Sequence, residues 1–344
     1  MAQGAVNRRR VVGLVAGGLL GGSLFRAVRA ATTPLVKSFG SRLTPLDEQL
    51  YIPPTSLSAV ADIYHRMSVP IGIAGRGPFP FVVDTGANQS VISRELAARL
   101  GLTIGPTRPL NGIAGVQDAP TTYTDVRIGA QTESGVMLSI LPAADIGGEG
   151  MLGLDRIEGR ELTLDFRGQA MRLAVTKHLT RDPADIAIKA RRPDGQLTLV
   201  DADLAGVPVV AFLDSGAQNT IGNMALRTMA ETRNPTSLWF KIPIVSATGQ
   251  TIMAEMADLP HLRIGGLRLP VWPVAFADLH TFRMWNMIDK PAILVGVDVL
   301  SRFESVCLDF ARNEVRFRPP GSTQISLASP AGLATYPTSA VRRG

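Results

Sequence analysis

Two segments of this chain carry the same message. Residues 79–93 read F-P-F-V-V-D-T-G-A-N-Q-S-V-I-S, and residues 209–223 read V-V-A-F-L-D-S-G-A-Q-N-T-I-G-N. Each passes from an apolar run into Asp, a hydroxyl residue, Gly-Ala, two polar residues and a second hydroxyl. One such Asp at a strand-to-turn junction is ordinary turn chemistry. Two copies at matched positions mean that one supersecondary unit is built twice, and this limits the chain to an internally symmetric fold.

The repeat reaches well beyond the motif. Nine positions after each Asp stands a helix N-cap residue, Ser93 or Asn223, whose side-chain oxygen can accept a free backbone N–H. Short helices are predicted at residues 94–100 and 224–230, the first closed by Gly101. Further on, M-L-G-L-D at 151–155 answers L-V-G-V-D at 294–298, and L-D-F followed by a turn and a strand occurs at 164–173 and again at 308–317. The distance from motif Asp to this Gly is 69 residues in the first copy (84 to 153) and 82 in the second (214 to 296), with the surplus expected within residues 278–290. Between these landmarks, glycine-bearing turns at 111–115 and 246–250 are candidate tips of β-hairpins.

Together these residues resemble the D-[ST]-G-A-x-x-[ST] pattern of retropepsin-like (retroviral-type) aspartic proteases of the exported bacterial type, here with two half-sites fused in one chain as in pepsin. The resemblance covers roughly residues 67–318. It implies an all-β fold of two pseudo-symmetric closed-barrel lobes with a few short helices, and aspartic endopeptidase activity. It assigns catalysis to Asp84 and Asp214. Two carboxyl groups about 3 Å apart cannot both ionise, so they share one proton. The charged one can then take a proton from water while the other donates to the peptide carbonyl. Support for the dyad falls to Thr85, Gly86, Ala87 and Ser90 and to Ser215, Gly216, Ala217 and Thr220. The glycines allow close approach, the hydroxyls at 85 and 215 bond across to the opposite loop, and those at 90 and 220 are expected to bond within their own loops. Gly112, Ile113, Ala114 and Gly115, with Ala247, Thr248 and Gly249, are the flap and substrate-binding candidates. The second copy departs from the pattern at Gly222, where Ile92 is apolar in the first, and neither flap tip carries a tyrosine. The alternative function is a catalytically idle module that binds extended peptides in the same cleft.

The remaining residues set the address and exclude other classes. Arg8-Arg9-Arg10, an apolar run at 11–25 and Val28-Arg29-Ala30 read as an export signal over residues 1–30. This gives a periplasmic or secreted protein, or, if uncleaved, an inner-membrane anchor facing the periplasm. The formal charge of +6 falls mostly there: five of the 35 basic residues precede position 31, which leaves 30 against 29 acidic residues, net +1. No basic stripe remains for nucleic acid. Residues 31–65 are expected to be a lead-in linker or pro-segment, 66–180 and 181–320 the two lobes, and 321–344 a disordered tail. The partner is an extended polypeptide substrate and the chain a monomer, without cofactor. No metal is expected, since His65, His178, His261 and His280 lack ligand spacing. The single cysteine, Cys307, lies in an apolar strand and is expected to be a buried, inert side chain.

Overall fold

The computed structural model describes residues 54–61, 66–157, 159–174, 182–191, 198–199, 202–235, 238–264 and 267–321. The export signal, most of the lead-in and the expected tail beyond 321 lie outside these residues. The chain is mostly β, with few short helices.

The first lobe is a closed ring of six strands. Met67–Ile73 pairs antiparallel with Arg76–Val83, which runs parallel to Gly150–Leu152. The ring continues through Val91–Ser93, Gln131–Leu141 and Thr121–Ile128, and closes where Ile71–Ile73 pairs with residues 126–128. Alternation explains the closure. Along Thr121–Ile128, Thr124, Val126 and Ile128 are buried while Tyr123, Asp125 and Arg127 face outward, so one apolar face lines the barrel.

The second lobe repeats the plan. Val210–Leu213 runs parallel to Ala292–Val295, followed by Ile221–Gly222, Leu267–Phe276, Thr251–Ile264 and Ala202–Leu204. Thr198–Leu199 pairs back onto Val210–Leu213. Gly222 is explained by packing. Ile92 lies beside Ile140 in the first lobe, and Gly222 lies beside Phe276 in the second. A Cβ at 222 would come within 2.7 Å of the Phe276 ring. The bulk has moved to the neighbouring strand, so the volume of the pair is kept.

A third, shared sheet joins the lobes. Its strands run in the order Thr55–Ser58, Ala170–Ala174, Glu161–Asp165, Ser305–Asp309, Glu314–Arg318, Ile186–Arg191. The two L-D-F repeats pair directly: Leu162 opposes Leu308 and Thr163 opposes Cys307. One sequence expectation changes here. Thr55–Ser58, inside the stretch read as a lead-in, is a strand on the edge of this sheet; Ile186–Arg191 is a strand on its other side and pairs onward with Thr198–Leu199 of the second lobe. Both alternate in burial, with Leu57 in one and Ile188 and Ala190 in the other turned inward while the residues between them face solvent. Cys307 is buried in this sheet beside Arg316, and burial, with Glu161 nearby, pushes its thiol up to about 12, well away from reactivity. Among the described residues no helix is long and apolar enough to cross a membrane, and no His, Cys, Asp and Glu group could hold a metal.

The helices follow their caps. Ser93 accepts from Leu96 N (3.0 Å) at the start of Arg94–Leu100, and Asn223 accepts from Leu226 N (2.9 Å) at the start of Met224–Arg233. Gly101 closes the first in the left-handed region. The second is three residues longer than the first, and the path from Phe276 to Gly296 is longer than that from Ile140 to Gly153. The surplus of the second lobe is therefore divided between these places rather than confined to residues 278–290.

Candidate active site

The strands Arg76–Val83 and Val210–Leu213 each end in an Asp, whose backbone N–H is held by the adjacent parallel strand: Asp84 N donates to Leu152 O and Asp214 N to Val295 O, both at 3.0 Å. This places the two loops at the join of the lobes, with each Asp carboxyl against the other loop's glycine and the two carboxyls close enough to act on each other's charge. Each carboxyl is also cradled by its own loop. Asp84 Oδ1 accepts from Gly86 N (2.8 Å) and Ala87 N (3.0 Å), and Asp214 Oδ1 from Gly216 N (2.9 Å) and Ala217 N (3.0 Å).

The loops lock to each other through Thr85 and Ser215. Thr85 Oγ1 donates to Leu213 O (3.1 Å) and accepts from Ser215 N (3.0 Å). Ser215 Oγ donates to Val83 O (2.7 Å) and accepts from Thr85 N (3.1 Å). Both hydroxyls are buried, so all four bonds exclude water. The glycines are needed for space. A Cβ on Gly86 would lie 2.5 Å from Asp214 Cγ, and one on Gly216 would lie 2.6 Å from Asp84 Oδ1. Each glycine thus forms the floor beneath the opposite carboxyl.

Ser90 and Thr220 work differently from expectation: they bond to the downstream Gly-apolar-Asp segments rather than within their own loops. Ser90 Oγ donates to Asp155 Oδ1 (2.7 Å) and accepts from Gly153 N (3.0 Å). Thr220 Oγ1 donates to Asp298 Oδ1 (2.8 Å) and accepts from Gly296 N (3.1 Å). Leu154 N and Val297 N complete the link to Ala87 O and Ala217 O. The repeated Asp155 and Asp298, visible in the sequence without a role, clamp the catalytic loops from below.

Electrostatics follow from burial. Desolvation pushes both dyad carboxyls above the ordinary carboxylate range. Asp214 is raised further, because it also faces the charge of Asp84; the paired N–H groups of each loop pull both carboxyls the other way. Two adjacent buried carboxyls with raised affinity for protons hold one proton between them over a wide pH range.

The hairpins expected as flaps are present. Arg108–Gly112 pairs with Gly115–Ala119 around Ile113-Ala114, and Phe240–Val245 pairs with Thr251–Ile264 around residues 246–250. Gly115 and Gly249 take positive φ at the turns, whereas Gly112 is small for another reason: its Cβ would meet Thr248 Oγ1 at 2.6 Å, since the two tips touch. Each tip rests on the opposite lobe. Ile113 packs against the cluster that holds Phe212, Phe282 and Trp285, and its carbonyl accepts from His280 N (2.7 Å). Ala247 packs against Val82, Val91, Ile146 and Met151. Ala114 is half-buried between them. The aromatic stretch at 280–287 packs on the second lobe: Trp285 stacks on Phe212 at 4.2 Å, in the cluster that also receives Ile113.

Two loops cross-locked by hydroxyls present adjacent carboxyls, and the family model described as aspartyl protease matches this chain over residues 69–156 and 200–299. The chain belongs to the aspartyl protease family, in the retropepsin-like clan. The two matched stretches are the two halves of the repeat, each containing its Asp. No curated protein matches the chain.

Proposed function

We propose that this aspartyl protease family member is an active endopeptidase of the exported bacterial type, monomeric, acting on extended segments of proteins outside the cytoplasm. The observation that carries the proposal is the pair of buried, adjacent carboxyls, each with its own pair of N–H donors and each floored by the other lobe's glycine. An idle binding module has no need to bury two carboxyls that destabilise each other.

The chemistry balances with one proton on the pair. The carboxylate removes a proton from a bound water as its oxygen bonds to the scissile carbonyl carbon, and the protonated partner gives its proton to the carbonyl oxygen. The resulting gem-diol breaks its C–N bond as the nitrogen is protonated, returning one proton to the dyad. Main-chain pairing to the hairpin flaps would hold the substrate extended, so alternate side chains point to either wall. The two clusters on which the flap tips rest are apolar and unequal: aliphatic with Val82, Ile146 and Met151 beneath Ala247, aromatic with Phe212 and Trp285 beneath Ile113. Cleavage between apolar residues follows, with the bulkier one on the aromatic side.

The test is digestion of unfolded proteins by the purified chain from acid to neutral pH, with the new termini sequenced. Apolar residues on both sides of the cut support the reading. Cuts dominated by Lys or Arg at one side, or no cleavage at any pH, contradict it. Export is tested separately: cell fractionation should recover the protein outside the cytoplasm with its first residues removed near Ala31, and full-length protein in the cytosol would refute that assignment.

A further inference from the structure

The two catalytic loops are gripped alike but braced differently. Asp155 and Asp298 hold the hydroxyls of Ser90 and Thr220, and each has a second oxygen to satisfy. In the first lobe that oxygen accepts from Arg156 Nε (3.3 Å), and Arg156 is braced in turn by Glu133. The residue after the Asp in the second copy is Val299, which is buried and has no side-chain donor. There Asp298 Oδ2 accepts instead from Trp272 Nε1 (3.1 Å) and Thr220 N (3.1 Å), and its Oδ1 from Val299 N (2.9 Å). Trp272 stands on the strand Leu267–Phe276. Val91 pairs with Ser139 and Ile221 with Ala275, so three residues back on each strand Trp272 answers Val136, which cannot donate. The indole is capped by Arg302, whose guanidinium carbon lies 5.0 Å from the ring centroid. The brace has thus changed from a cation to an indole and moved from the residue after the Asp to a neighbouring strand.

We propose that Trp272 is a positioning residue for the Asp214 loop, its indole N–H holding Asp298 on Thr220 as Arg156 holds Asp155 on Ser90. Among the described residues Asp298 makes no ion pair, so its grip depends on neutral donors. Of the charged groups on the elements around it, Arg302 lies over the indole, Arg268 stands four positions back on the strand, and Asp214 is cradled by Gly216 and Ala217. Burial pushes the Asp298 carboxyl above the ordinary range, and the bonds from Thr220, Trp272 and Val299 pull it back down. A protonated carboxyl has fewer free acceptor positions for the donors directed at it. Thr220 Oγ1 already accepts from Gly296 N, so its own proton has no place but Asp298. Loss of that grip frees the loop that carries Asp214, which is tied to the same helix through Ala217 O and Gln218 O. The consequence for cleavage rests on the protease reading above. The bonds themselves do not.

The experiment is a carboxyl titration of the full chain labelled with 13C at the aspartate Cγ, read by NMR. It compares wild type, Trp272→Phe, and a chain with 3-benzothienylalanine in place of Trp272, which keeps the shape of the indole and has sulfur for its N–H. Asp298→Asn assigns the resonance. The ionisation of Asp298 rises by about one pH unit in both variants, because a donor to the charged form is lost. The sulfur analogue serves where Trp272→Phe does not fold. An Asp298 ionisation that stays fixed in the analogue overturns the proposal, and lower stability with an unmoved titration shows Trp272 to be packing alone. In a cleavage assay, the ratio of variant to wild-type kcat falls about tenfold from the neutral to the acid side of the new ionisation, with KM changed less. An active wild type and a ratio that is flat across pH refute the proposal alone. A wild type that cleaves nothing but whose Asp298 titration moves as stated in the variants refutes the protease reading alone.

Discussion

Thr85→Val removes one hydroxyl from the interlock and keeps the shape of the side chain. Thr85 is 2% exposed, and its oxygen serves Leu213 O and Ser215 N at 3.1 and 3.0 Å. Both partners belong to the other lobe and lie where water cannot replace the lost hydroxyl. A buried group left without its partner costs about 1–3 kcal/mol, so two of them imply a loss of about 2–4 kcal/mol after the small gain from a more apolar side chain. For a chain of this size that lowers Tm by roughly 5–10 °C. Ser215→Ala should cost a similar amount through Val83 O and Thr85 N. Because the four bonds form one unit, the double variant should be less destabilised than the sum of the singles by about 1 kcal/mol or more. Guanidinium unfolding followed by circular dichroism measures all three. A Thr85→Val loss under about 0.5 kcal/mol, the level of an ordinary surface change, would refute the interlock as a stabilising contact between lobes. Strict additivity would refute its cooperativity.

Gly86→Ala and Gly216→Ala each place a methyl group against the opposite carboxyl and should reduce kcat at least about 100-fold while the fold survives, a displacement effect of the size expected for misplaced catalytic groups; near-normal kcat in either would show that the loops have slack. Asp214→Asn should stabilise the protein at neutral pH. Its carboxyl is raised in the fold, so its favourable contribution is present below the ordinary carboxylate value and is lost as pH rises through the folded value. The gain in Tm should therefore appear at pH 7 and vanish near about pH 4, where the unfolded chain is protonated as well; a lower Tm at pH 7 would contradict this. Gly112→Val should force the touching flap tips apart and raise KM about tenfold or more with a smaller effect on kcat, and unchanged steady-state kinetics would show that the tips separate freely.

The parts of the site that chemistry demands were legible in the sequence. Asp84, Asp214 and their glycines stand in a repeated string because the geometry allows no substitute, and Ser93 and Asn223 announce their helices by local bonds to Leu96 and Leu226. What local pattern cannot carry is partnership across the chain. Ser90 reads as a loop residue, but its partners Gly153 and Asp155 are more than sixty positions away. Thr55–Ser58 is four residues with one buried side chain, too short a pattern to announce a strand, and exists because Ala170–Leu173 offers an edge. Gly222 looked like a loosened motif until Phe276 was seen filling its space.

The central claim is that Asp84 and Asp214 act as one catalytic unit. It is tested most directly by measuring cleavage of an unfolded protein substrate by wild type, Asp84→Asn and Asp214→Asn, each first shown to be folded and monomeric by circular dichroism and light scattering. The account predicts that wild type cleaves as a monomer and that either substitution alone removes almost all activity, with the double variant no worse than the singles. Substantial activity in either single variant, or activity confined to a dimer, would contradict it.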